Sequence, residues 1–309
     1  MRPSGLPSTE RSRNGWEIPA PRVRRRPNYH THIVLFLMTV VTTVVAGMVW
    51  EGLNPLQQIG QFYRGLPYAF TLLTILFCHE MGHYVTARHY GIDVTLPYFI
   101  PVPPPFPIGT LGAFIRMQSL PHNRRALLQV GAAGPIAGFC IALPAAIYAY
   151  ATATVAPIPA SGGVYYEFAE PLLLQLINHV VFGPIPQGSA IQISSVGIAA
   201  WFGLLVTMLN LLPVGQLDGG HIVYALFGRR ARYLSWTVVA VLVIMGGVFH
   251  PMWFMWAVIG MVLLRLRPPA ILDQHTPLDW RSQIIALIAL AIFVLCFMPS
   301  PISLRGLEG

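Results

Sequence analysis

Long apolar runs broken by short polar turns dominate the chain after residue 31. They predict helices over about 32–50, 66–90, 125–152, 195–226, 233–249, 252–264 and 282–298. A helix needs about 20 apolar residues to cross a bilayer, and most of these runs reach or approach that length. The pattern predicts an all-α polytopic membrane protein with about seven transmembrane helices. One interval breaks the helical pattern. Residues 92–118 are apolar yet carry Pro97, Pro101, Pro103, Pro104, Pro105 and Pro107, then Gly109 and Gly112. Non-helical backbone at membrane depth survives only against protein or a wet cavity, so this interval reads as a re-entrant, β-like segment. Residues 153–194 read as an outer loop whose apolar part, Leu172 to Phe182, lies on the bilayer as an interfacial helix.

Composition supports the membrane reading. Hydrophobic residues make up 55% of the 309 and charged residues only 10%, against about 25% charged in soluble domains. The net charge of +8 would suggest nucleic acid in a soluble chain, but here it sets topology, and no nucleic-acid partner is expected. With seven spans and a cytoplasmic N-terminus, every Arg except Arg64 and Arg305 falls on the inner side, as the positive-inside rule asks. A six-span arrangement would leave Arg265, Arg267 and Arg281 outside. Residues 1–31 read as a disordered cytoplasmic tail, 32–298 as the membrane domain with its core at 66–226, and 299–309 as a C-terminal tail. Cys78, Cys140 and Cys296 all lie in apolar runs without metal or redox spacing.

The chemistry begins at His79-Glu80-Met81-Gly82-His83. On a helix the two histidines stand one turn apart on one face, placed to share a metal ion, with Glu80 beside them as a base. A catalytic zinc takes three protein ligands and keeps one position open. Among the acidic residues after the motif, only Asp218 lies within a predicted span. His83 and Asp218 each sit about 10–12 Å from the inner end of their predicted helices, counting 1.5 Å per residue. His221 is the rival third ligand. Pro213, Gly215, Gly219 and Gly220 bracket Asp218 and predict a local opening of its helix.

Two motifs, His79 to His83 and Asn210-Leu-Leu-Pro213 through Leu217-Asp218-Gly219-Gly220, resemble the site-2 protease family of intramembrane zinc metalloproteases. The glycine pattern Gly131, Gly134, Gly138 extends that similarity, which covers about 66–226 and is nearest the bacterial and plastid-type branch without a PDZ domain. Gly215-Gln216 stands where that family often has Pro. The resemblance implies His79, His83 and Asp218 as ligands of one Zn2+ per chain, Glu80 as acid/base, and Asn210 as an aid to the scissile peptide or its oxyanion. It implies a transmembrane protein as substrate and an integral, multi-pass location, expected to be a bacterial inner membrane. A helical substrate must unwind before cleavage. Gly109, Thr110, Leu111, Gly112 and Ala113 are expected to offer it a strand edge. A zinc transporter and a catalytically idle scaffold are the alternative readings.

Overall fold

The computed structural model describes residues 29–157, 165–186, 188–265, 271–273 and 276–305. The tail reading for residues 1–31 falls almost wholly outside them. The described part is mostly helical, and every helix expected from the apolar runs is present. They are α1 (Tyr29–Trp50), α2 (Leu66–His89), α3 (Arg124–Ala151), α4 (Leu172–Val181), α5 (Ser195–Asn210), α6 (Asp218–Phe227), α7 (Ala231–Val248), α8 (Met252–Arg265) and α9 (Trp280–Cys296). The run expected as one helix over 195–226 is two helices separated by residues 211–217. Pro213 cannot continue the α5 ladder, and Gly215 takes a left-handed φ of +55°.

Among the described residues, three stretches can by length and composition cross a membrane: Tyr29–Trp50, Arg124–Ala151 and Asp218–Val248, the last containing the turn between α6 and α7. The α2 helix is long enough, at 24 residues, but His79, Glu80 and His83 dilute its apolar character. Its start is shaped by a proline in the first turn, where a missing N–H costs nothing. The Asn123 side chain accepts from the Ala126 N–H at 2.9 Å and caps α3. At the start of α9, Asp279 accepts from Ser282 Oγ at 2.6 Å and faces Arg125 at 3.2 Å. The Ser282 bonds, with help from Arg125, hold this carboxyl below the usual carboxylate range.

The centre of the molecule is α2, α3, α5 and α6 packed side by side. Tyr68, Leu72 and Ile75 of α2, Leu127 and Leu128 of α3, and Trp201, Phe202 and Met208 of α5 are all fully buried there. Gly203 lets α5 close on α2: a methyl group on it would meet Ile75 Cδ1 at 2.8 Å.

Residues 92–118 form an antiparallel hairpin, β1 (Tyr98–Pro101) with β2 (Thr110–Phe114), pairing Tyr98 with Phe114 and Phe99 with Ala113. Its proline-rich tip runs along α1. His32 Nδ1 lies 3.0 Å from the Pro97 carbonyl, Thr42 Oγ1 donates to Gly109 at 2.6 Å, and Trp50 Nε1 donates to Pro107 at 2.9 Å. From α2, Tyr68 Oη donates to Ile108 at 3.1 Å. His32 and Trp50 are about 27 Å apart along α1 at 1.5 Å per residue, so the hairpin accompanies most of that helix. The prolines now have a physical reason. Each removes an N–H that would need a partner, and the carbonyls of Pro97 and Pro107 are met by side chains from α1.

Two further strand pairs close the other end of the bundle. Strand β3 (Thr154–Pro157) pairs with β5 (Ser189–Gln192), and β4 (Tyr165–Phe168) with β6 (Ile302–Arg305). Residues 153–194 and the expected C-terminal tail therefore contain paired backbone, which the hydrophobic pattern did not indicate.

Candidate metal centre

Three side chains from two helices meet at one point. His79 Nε2 and His83 Nε2 are 3.2 Å apart, and Asp218 Oδ2 lies 3.3 Å from each. Zinc bonds of about 2.0–2.1 Å at tetrahedral angles set ligand atoms about 3.3–3.4 Å apart. The triangle has the edge length of one face of that tetrahedron. Two imidazole nitrogens and a carboxylate oxygen are also a zinc donor set that leaves a fourth position open. Residues and geometry both fit the ion.

Asp218 is not at the middle of a membrane helix, as the apolar run suggested. It is the first residue of α6, directly after the break. That position lowers the cost of a carboxylate, because the free N–H groups and dipole of a helix start favour negative charge. Asn210 ends α5 on the other side of the same break, and its Nδ2 is 3.4 Å from His79 Nε2. The seven-residue turn thus delivers both side chains to the triad. Ser235 of α7 steadies it by donating to the Pro213 carbonyl at 2.8 Å.

Glycines on α3 decide how close the triad comes to that helix. Gly131, Gly134 and Gly138 share one face. A methyl group on Gly134 would lie on the His83 ring, and one on Gly138 would stand 3.2 Å from His79 Nδ1. Near this contact Pro135 lies inside α3 and cannot donate to Gly131. The Val130 carbonyl accepts from His83 Nδ1 at 2.7 Å, which fixes the tautomer that turns Nε2 to the metal position. Sequence reasoning used these glycines only as a family pattern and missed their role as the floor of the site. Their spacing along one helix face was the signal that could have revealed it.

Glu80 is buried, with 6% of its surface exposed, and lines the cavity that holds the triad. That cavity has a volume of about 210 Å³ and is walled by α2, α3, the α5–α6 turn and the end of the hairpin, including Ala113, Ile115 and Met117. Of the expected strand residues, Ala113 is on the cavity wall, whereas Gly109, Thr110, Leu111 and Gly112 are not. The Gly109 carbonyl is held by Thr42, and the Gly112 N–H by Thr110 Oγ1 at 3.0 Å. Past them, the Ile115 N–H meets the Glu80 carboxylate. Arg116 directs its carbonyl to the Thr95 N–H at 3.1 Å, away from the cavity. By strand alternation, the backbone groups of Ile115 and Ala113 turn the opposite way.

Residues 67–252 match Peptidase family M50. The chain is 31% identical over 279 residues to "Probable zinc metalloprotease EGY2, chloroplastic" of Arabidopsis thaliana, covering 88% of this chain and 49% of that protein. It is 28% identical over 311 residues to "Probable zinc metalloprotease EGY1, chloroplastic" of the same plant, covering 92% of this chain and 55% of that protein. A rice relative, "Probable zinc metalloprotease EGY2, chloroplastic" of Oryza sativa subsp. indica, is 30% identical over 203 residues, covering 64% of this chain and 36% of that protein. The chain spans about half the length of the first two of these curated relatives.

Proposed function

The chain belongs to peptidase family M50, the site-2 protease family, and from that premise we propose that it is a zinc endopeptidase cutting transmembrane segments of other membrane proteins. One observation carries the reading: the triangle of His79, His83 and Asp218 shares its cavity with Glu80. A transport site would need the three ligands but gives a buried carboxylic acid beside them no task.

His79, His83 and Asp218 would hold one Zn2+ per chain. When bound, zinc supplies a Lewis acid that makes water a nucleophile near neutral pH and polarises the scissile carbonyl. Glu80 accepts the proton of the attacking water and returns it to the leaving amine. Asn210 is the hydrogen-bond donor for the carbonyl oxygen as charge grows on it.

The substrate strand adds to β2 at Ala113, which the cavity adjoins. This narrows the expected segment 109–113, since Gly109 and Gly112 already have partners. Replacing Ala113 with Pro removes an edge donor without touching the triad. Cleavage is expected to fall by at least about tenfold through a higher KM, with zinc content unchanged. Normal turnover in that variant would end strand addition as the mode of binding.

Seven crossings, with α5 and α6 forming one broken span, keep the inner side rich in arginine. The hairpin then enters from the inner side alongside α1. Its reach of about 27 Å approaches the hydrocarbon thickness of about 30 Å. On that arrangement residues 1–31 form the cytoplasmic tail, 32–298 the protease domain, and the membrane is a bacterial inner membrane. The plastid location in the relatives' names belongs to those proteins.

The test is incubation of the purified chain with single-span membrane peptides, with and without a chelator. Cleavage is expected to stop when zinc is removed and to return on adding it back. Cleavage that persists at full rate in chelator overturns the proposal.

A further inference from the structure

The proposed chemistry leaves His221 unused, although this side chain is a wall of the same cavity. It follows Asp218 by three residues on α6, the spacing that brings two side chains to one helix face. The packing there is tight. A methyl group on Gly131 would stand 3.0 Å from His221 Cβ and 3.2 Å from the Asp218 carbonyl oxygen. The ring's Nδ1 is sealed from solvent and has no hydrogen-bond partner among the described residues. A buried N–H with no acceptor is costly, so the neutral ring carries its proton on Nε2. The side chain as a whole is only part-buried, which leaves the Nε2 edge to face the cavity.

We infer that His221, through Nε2–H, is a substrate contact that donates to the scissile carbonyl oxygen; this rests on the protease reading above. Asn210 approaches from the His79 side of the triad, and His221 approaches from the Asp218 side. Two fixed donors then flank the oxygen on which charge accumulates. A donor set in advance stabilises that charge more than it stabilises the bound substrate, so its effect falls on kcat. No proton transfer is involved.

The experiment compares His221→Leu and His221→Gln in the purified full chain. Zinc content, kcat and KM are measured on a transmembrane peptide that the unaltered chain cuts. Peptide binding is also measured in a Glu80→Gln background. The leucine variant is expected to keep one zinc and to bind peptide within about threefold of the parent, while kcat falls about 10²-fold. Glutamine, which can donate at similar reach, is expected to recover at least about tenfold of that loss. Three results overturn the inference. Full turnover in His221→Leu shows no contact, loss of zinc shows a prop for Asp218, and equal losses in both variants show packing alone. A peptide left uncut by the unaltered chain counts against the protease reading itself, and this inference falls with it.

Discussion

Replacing Glu80 with Gln is expected to cut peptide cleavage by about 10²–10⁴-fold, the range for loss of a positioned general base. Glutamine matches glutamate in shape and hydrogen-bonding reach, so the cavity keeps its form. It cannot take up and release a proton. Glu80 is not a corner of the triangle made by His79, His83 and Asp218, so zinc content is expected to remain at one per chain. Elemental analysis alongside a cleavage assay reads both quantities on one preparation. Undiminished cleavage would remove Glu80 from the mechanism. Zinc flux through reconstituted vesicles that persists in this variant, with no cleavage by the parent chain, would favour a transporter.

The second large effect comes from a methyl group. In Gly134→Ala the new carbon coincides with the His83 ring. The ring has little room to slide aside, because its Nδ1 is bonded to Val130 on the same helix at 2.7 Å. Nor can α2 back away cheaply. A methyl group on Gly82 of α2 would also collide with the Ala133 carbonyl, so the two helices meet at glycine contact distance along this stretch. The variant must move His83 out of the triangle or part α2 from α3. Zinc content is expected to fall below about half of the unaltered level, and cleavage by at least about 10²-fold, the scale of a misplacement near 1 Å. Gly247→Ala is the control. That glycine lies in α7 with nothing within 4 Å of an added methyl group, and neither measurement should change. Full zinc content in Gly134→Ala would show that α3 is not the floor of the site.

Much of the helical scaffold was legible from apolar runs alone. The α2 and α3 helices, Leu66–His89 and Arg124–Ala151, begin and end within a residue of the expected 66–90 and 125–152. Breakers ahead of Asp218 foretold an opening, and the structure makes it a full break between two helices. Other features had no local signal. Strand β3 pairs with β5 across the whole of α4, and β4 pairs with β6 from the far end of the chain. Neither partner can be read from the other's sequence. The same is true of His32, Thr42 and Trp50. On sequence they are polar or aromatic residues scattered along an apolar helix, and only the folded hairpin shows which carbonyls they meet.

By itself the sequence determined that His79 and His83 share one face, because a helical repeat of 3.6 residues is local and holds wherever α2 lies. It also signalled a local opening around Asp218, since proline and glycine act on their own backbone, but only the structure put the break directly before that residue. Whether the three atoms close to 3.2–3.3 Å was decided only by tertiary structure. That distance depends on α3 glycines letting α2 and α6 approach, and on an α5–α6 turn held by Ser235. Contacts between distant parts of a chain are set by packing, which no local pattern encodes.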